Sequence, residues 1–265
     1  VDHQLLLIQN ENNICTLTLN RPEKKNSLSL ELVELLGSTL KELAEDDAIR
    51  TVILRGAGNE AFCSGFDIGA LPTQSGADAD QRLKSLDQVE SLLQRLVSFP
   101  YPVIAMLNGF AFGLGCELSM CCDIRIGAED IRMGMPPARL GLVYPWTGLL
   151  RFIQRIGIQS TKEMFFTGRT YTGRRIKELG LADYLVPGGD LEEFTYAMAK
   201  EIAGNAPLAL KGIKKVINLL MKSSRLDKTQ SGEAQAIFSA ALLSEDMQEG
   251  QSAFIEKRKP RFKGK

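Results

Sequence analysis

Glu117 is the one carboxylate in a run of small and apolar side chains that includes Cys116, Leu118, Met120, Cys121 and Cys122. A charge in such surroundings is costly, so the group either finds a partner or takes a raised pKa, and a pKa lifted toward neutrality suits a general acid or base. The alternative reading is a buried ion pair with an arginine such as Arg125 or Arg139. Glu117 belongs to the segment Asn108–Ile126, NGFAFGLGCELSMCCDIRI, in which Gly109, Gly113 and Gly115 precede an apolar helix without the G-x-G-x-x-G spacing of a dinucleotide fold. The amide of Leu114, between two of these glycines, would sit at a helix N-terminus. Unpaired N–H groups and the positive end of the macrodipole there favour an anion.

A second glycine turn, GAGNEAFCSGFDI from Gly56 to Ile68, directly follows the strand pattern at 51–54. Cys63, Ser64 and Gly65 are small enough for a turn in which the amide of Phe66 faces a ligand. No Gly-Lys-Ser/Thr follows, which excludes a phosphate loop, and the order Cys-Ser-Gly is not that of a nucleophile elbow. Two such amides, one from each turn, would make an oxyanion hole. His3 is the only histidine, so Ser-His and Cys-His nucleophile systems and histidine-rich metal sites are excluded as well. The five cysteines form no C-x-x-C pair and lie in apolar runs, as reduced core thiols do. Chemistry is left to a carboxylate, a tyrosine or the backbone.

The elements that must position these groups alternate. Apolar runs at 5–8 and 14–19 around Asn-Glu-Asn-Asn predict a β-hairpin, and leucines at helical spacing from Leu32 to Leu43 predict a helix capped by Ser29. Strands follow at 51–54, 102–107 and 123–127, with helices at 83–97 and 115–122 between them. That order predicts an α/β core at about 1–200. Beyond Thr147 only 182–186 reads as a strand. Helical patterns cover 149–166, 208–221 and 231–259, which sets off a helical C-terminal part at 201–265.

Thirty-two Lys and Arg balance 32 Asp and Glu over 265 residues, a charge that points to no nucleic-acid or membrane partner. The terminal FIEKRKPRFKGK is basic, as a solvated tail or a local site for a polyanion would be. No secretory signal or membrane span is evident, so the expected location is cytoplasmic.

Several stretches in order carry a resemblance: Asn20-Arg21-Pro22 through Asn26, AFCSGFDI, NGFAFGLGCEL with CCDIRI, PPARLGLVYPWTG, FFTGRTYTGRRIKELGLADYLV, and AFIEKRKPRF. Together they resemble the crotonase (enoyl-CoA hydratase/isomerase) superfamily across nearly the whole chain. The resemblance implies a crotonase-like spiral of ββα units with a C-terminal helical trimerisation region, and trimers that often pair as hexamers. It implies an acyl-coenzyme A substrate and no separate cofactor or metal. Phe66 and Leu114 take the places of the two oxyanion amides. The backbone around Ser64 and Ile68 takes the adenine end of CoA, one of Lys24 and Lys25 its phosphates, and Phe254 and Lys257 match positions that reach a neighbouring subunit's CoA.

One position departs from the hydratases of that family, which use two glutamates to activate water. Glu117 matches the first, whereas the second position is Pro137, whose side chain moves no proton. Tyr144 in GLVYPWTG is the candidate to substitute, with a packed aromatic as its alternative reading. Here the C-terminal half resembles the methylmalonyl-CoA decarboxylases of the family, which pair a glutamate with a tyrosine but carry a histidine where this chain has Phe66. The readings rank as hydration of a 2-enoyl-CoA, then decarboxylation of a methylmalonyl- or ethylmalonyl-CoA, then double-bond isomerisation. An RNA-binding role through KGIKK (211–215) and MKSSRLDK ranks last.

Overall fold

The computed structural model describes residues 4–67, 79–222 and 228–263. The chain opens with β1 (Leu6–Glu11) and β2 (Ile14–Leu19), an antiparallel hairpin whose turn residues Asn12 and Asn13 have φ of 52° and 65°. Asparagine accepts that left-handed conformation more readily than most residues, so the polar turn is compact and β1 runs on through Glu11. Helix α1 (Leu30–Ala44) begins at Ser29, whose hydroxyl accepts the Leu32 N–H at 3.3 Å.

Three ββα turns follow. The first is β3 (Thr51–Gly56), β4 (Ala61–Cys63) and α2 (Ala79–Ser98). The second is β5 (Val103–Leu107), β6 (Phe110–Phe112) and α3 (Leu114–Cys121). The third is β7 (Ile124–Ala128), β8 (Arg132–Gly134) and α4 (Trp146–Thr167), the last broken at Gly157, where φ is 75°. The long strand of each turn joins one parallel layer and the three-residue strand joins another. With β10 (Tyr184–Val186) the first sheet runs β1-β2-β3-β5-β7-β10. With β9 (Thr170–Thr172) the second runs β4-β6-β8-β9, β9 being antiparallel to β8. Strands β2, β3, β5 and β7 are apolar along most of their length because helices and the second sheet cover both faces.

The rest is helical: α5 (Arg174–Glu178), α6 (Leu191–Ala203), α7 (Pro207–Lys222), α8 (Lys228–Leu242) and α9 (Glu245–Ile255). The expected single helical stretch at 231–259 is two helices, divided at Ser244, which caps α9 through the Met247 N–H. α6 lies against the large sheet, while α9 packs on the 3-10 turn Pro137–Leu140. Among the described residues no helix is long and apolar enough to cross a membrane.

Candidate active site

Asn26 fixes the approach to the first glycine turn. Its buried side chain accepts the Arg21 N–H and donates to the carbonyls of Ala57 and Ala61 at 2.9 and 2.7 Å, while Arg21 pairs with Asp67 at 3.0 Å. The Leu28 N–H donates to Gly65 O and the Asp67 N–H donates to Leu28 O, at 2.8 and 3.0 Å. In parallel pairing of this kind the residue between the two partners turns its own N–H away, and that residue is Phe66.

The second turn ends at Gly113, whose N–H donates to Gly134 O at 3.0 Å and whose carbonyl accepts from Glu117 N at 3.0 Å as α3 begins. Among the described residues neither the Phe66 nor the Leu114 N–H donates to a main-chain carbonyl. The two turns touch. A Cβ on Gly65, at φ +109°, would lie 2.9 Å from Phe112 O and 3.5 Å from Leu114 N, and one on Gly115 would lie 2.1 Å from Cys63 O. Glycine is required at both positions for this approach.

Glu117, 3% exposed, has a donor on each oxygen. The Tyr144 hydroxyl donates to Oε2 at 2.5 Å, and Nη1 of Arg151 donates to Oε1 at 2.6 Å. Arg151 Nη2 donates to Glu90 Oε1 at 2.5 Å. Glu90 is held further by Gln94 Nε2 at 2.8 Å and Thr147 Oγ1 at 3.1 Å. Burial pushes the Glu117 carboxyl above its ordinary range, against the pull of Arg151 and then of Tyr144. Burial, reinforced by the Glu117 charge, pushes the Tyr144 phenol far above its ordinary value.

The arginine beside Glu117 is therefore neither of the two expected from sequence. Arg125 pairs with Asp183 at 2.8 Å, and Arg139 reaches Thr167 O. Arg151, Glu90, Thr147 and Gly148 were not legible as site residues, although a signal exists. Thr147, Gly148 and Arg151 share one face of α4, with Tyr144 just ahead of the helix, and Arg151 interrupts the otherwise apolar run GLLRFI. Gly148 leaves the space this face needs, since a Cβ there would lie 2.5 Å from the Tyr144 ring and 2.8 Å from Glu117 Oε1.

The remaining candidates fall in two places. Ser64 joins Lys24 and Lys25, its N–H donating to Lys25 O at 3.0 Å and its hydroxyl to Lys24 O at 3.4 Å. Both lysines are exposed, and Lys25 pairs with Glu60 at 2.8 Å. Ile68 lies outside the described residues. Phe254, 60% exposed, and Lys257, at φ 54°, lie at and just past the end of α9, whose C-terminal turn the chain leaves open to solvent. Pro137 is buried at the start of its 3-10 turn. In KGIKK, Lys211 pairs with Asp47 at 2.6 Å and Lys214 is buried against Asp123 at 2.6 Å, so these two lysines are tied to protein groups. Among the described residues no cluster of His, Cys, Asp and Glu suits a metal ion.

Known proteins share this architecture. A family model described as enoyl-CoA hydratase/isomerase matches residues 9–265. The short-chain-enoyl-CoA hydratase of Clostridium acetobutylicum is 31% identical over 254 residues, covering 96% of this chain and 95% of its own. The methylmalonyl-CoA decarboxylase of Escherichia coli (strain K12) is 32% identical over 265 residues, covering 100% of both. Among solved structures, methylmalonyl-CoA decarboxylase in complex with 2-nitronate-propionyl-CoA superposes with a TM-score of 0.91 at 31% identity, covering 99% of this chain and 100% of the other. An enoyl-CoA hydratase from Bacillus anthracis superposes with a TM-score of 0.78 at 33% identity, with the same coverage. Matched over nearly its whole length by the family model and by relatives of both activities, the chain belongs to the enoyl-CoA hydratase/isomerase family and is an enzyme of that family.

Proposed function

We propose that the enzyme decarboxylates a malonyl-type acyl-CoA, such as methylmalonyl- or ethylmalonyl-CoA, through a thioester enolate. The observation that carries this reading is the engagement of both Glu117 oxygens, by Tyr144 and by Arg151, in a chain whose second hydratase position is a buried proline. Two-carboxylate hydration needs a pair of glutamates free to hold one water, whereas decarboxylation needs no base. The bond from Cα to the carboxylate breaks, and its electron pair moves toward the thioester carbonyl as CO₂ departs. The N–H groups of Phe66 and Leu114 receive the enolate oxygen, charge-assisted donors in a site sheltered from water. Cα then takes up one proton, in this reading from the Tyr144 hydroxyl, which Glu117 orients and which regains a proton from solvent. In this reading Phe66 and Pro137 supply apolar surface that disfavours the bound carboxylate relative to neutral CO₂.

The CoA part is assigned to Lys24, Lys25, Ser64 and Ile68, with Phe254 and Lys257 serving the CoA of a neighbouring copy in a trimer or hexamer. Coenzyme A is then part of the substrate and no separate cofactor takes part. The exposed stripe Ile213, Val216, Ile217 and Leu220 on α7 supports self-association.

Hydration is the second reading, supported by the Tyr144 hydroxyl standing beside Glu117 as a replacement for the missing carboxylate. Incubation with methylmalonyl-CoA, ethylmalonyl-CoA and crotonyl-CoA, followed by mass spectrometry, tests both. Loss of CO₂ from a malonyl-type thioester is expected. A gain of water by crotonyl-CoA, with the malonyl thioesters untouched, would replace this reading by hydration.

A further inference from the structure

Glu117 does not meet its arginine in isolation. Arg151 lies between two carboxylates on different helices, Glu117 on α3 and Glu90 on α2. The Arg151 side chain is 9% exposed and the Glu117 side chain 4%, while that of Glu90 is 34% exposed and stands at the solvent end of the row. Each of the outer contacts limits the freedom of the next. Gln94 and Thr147 hold one oxygen each of Glu90, Glu90 holds Nη2, and the planar guanidinium then has Nη1 aimed at Glu117 Oε1. Oε2 is left to Tyr144.

We infer that Arg151 and Glu90 are positioning residues that set the protonation state of Glu117, Arg151 holding it as a carboxylate and Glu90 limiting that hold. The inference rests on the reading of Glu117 as part of the reacting machinery, but the electrostatic row exists whichever acyl-CoA is turned over. The groups facing Glu117 are Tyr144, Arg151 and, through Arg151, Glu90, together with Cys116 and Cys121 from its own helix. Removing the cation leaves burial and the Glu90 charge, both of which favour the protonated carboxyl. Removing the Glu90 charge leaves the cation to act on Glu117 alone. The two changes therefore move Glu117 in opposite directions, whereas a row that merely ties three helices together would move it in neither.

The test is a pH titration of the substrate-free full chain carrying ¹³C-carboxyl glutamate, with the Glu117 resonance identified by its loss in Glu117→Gln. Arg151→Met is expected to raise the Glu117 midpoint by more than about one pH unit, the scale set by loss of an adjacent opposite charge. Glu90→Gln, which keeps an acceptor of the same shape, is expected to lower it by less. Arg151→Lys keeps the charge but loses the paired hold on Glu117 and Glu90, and should raise the midpoint by less than Arg151→Met does; read against the parent, it keeps the arginine arm testable if the methionine variant folds poorly. Midpoints unchanged in both variants, or moving in the same direction, would overturn the inference. Opposed shifts in a protein that decarboxylates no malonyl-type thioester would uphold it while removing the functional reading above.

Discussion

The hydroxyl of Tyr144 lies 2.5 Å from Oε2 of Glu117, so the acid/base pair at the head of α3 joins a phenol to a carboxylate rather than one carboxylate to another. Two ionised carboxylates in one apolar pocket repel each other and raise one another's pKa. A phenol pushed far above its ordinary value is neutral at rest and gives up its proton only to a stronger base, such as an enolate carbon. Tyr144 therefore keeps its proton to higher pH than an ordinary tyrosine does.

Tyr144→Phe removes that proton and leaves the ring. Turnover is expected to fall by about 10²-fold, the scale of one lost acid/base partner. One lost hydrogen bond costs about 1 kcal/mol net, which in a chain of this size lowers the melting temperature by about 2–4 °C. Steady-state kinetics beside a thermal melt separates the two effects. Unchanged kcat with a lowered melting temperature would mark Tyr144 as a packing residue, held there by its tilted contact with Phe165.

Gly148→Ala tests the same pair from the side of α4. The added methyl would stand 2.5 Å from the Tyr144 ring and 2.8 Å from Glu117 Oε1, closer than carbon and oxygen atoms approach without a shift. Alanine is otherwise the best helix former, so local propensity favours the substitution. Kinetics should show kcat reduced by at least about 10-fold, since catalytic groups displaced by a fraction of an ångström lose their alignment. Retention of full kcat would mean that the Tyr144–Glu117 contact is not needed for turnover.

Much of the spiral was legible because its long strands and helices carry strong periodicity. Ser29 capping α1 and the glycine-led start of α3 at Leu114 stand where the residues indicated. The second sheet was not legible, since β4, β6, β8 and β9 are three residues each and too short for alternation to register. The ββα repeat has no fixed sequence period because its turns differ in length, β3 and β5 enclosing β4 and the 20-residue α2 while β5 and β7 enclose β6 and the 8-residue α3. At the site, Glu117 stood out as a carboxylate in an apolar run, and Tyr144 through the resemblance of its stretch GLVYPWTG. Arg151 did not, because an arginine on an amphipathic helix looks exposed until the facing helix is known to present Glu117 and Glu90.

The thiols give a prediction with a definite sign. Burial pushes Cys15, Cys63, Cys116 and Cys122 up to about 12, and Cys121 well above its ordinary value. Thiolate is the reactive form, so the native protein at pH 8 should react with a disulfide reagent far more slowly than a free thiol, and denaturant should release all five cysteines. The unfolded chain gives up these protons near 9.0 and the folded chain only near 12, so stability is full below pH 9 and falls as pH rises toward 12. A cysteine titrating within minutes in native protein at pH 8 would contradict this burial.

Gly65→Ala bears on the two amides themselves. Gly65 stands at φ +109°, outside the range of L side chains, and its added carbon would lie 2.9 Å from Phe112 O on the approach to Leu114 N. Either the turn shifts, carrying the Phe66 N–H with it, or the strand β6 yields and moves Leu114. Both movements separate the donors, and the loss of one oxyanion donor costs about 10²–10³ in turnover. Backbone strain also lowers stability, so Gly173→Ala serves as the control. That glycine has φ +52° and ψ −139°, has nothing within 4 Å of its added carbon, and stands before α5 rather than at either glycine turn. The expectation is that both variants melt lower than the parent while only Gly65→Ala loses turnover by this factor, with the affinity for free coenzyme A preserved as measured by calorimetry. If Gly65→Ala turns over as fast as Gly173→Ala, the close approach of the two glycine turns at Gly65 and Phe112 has no part in catalysis.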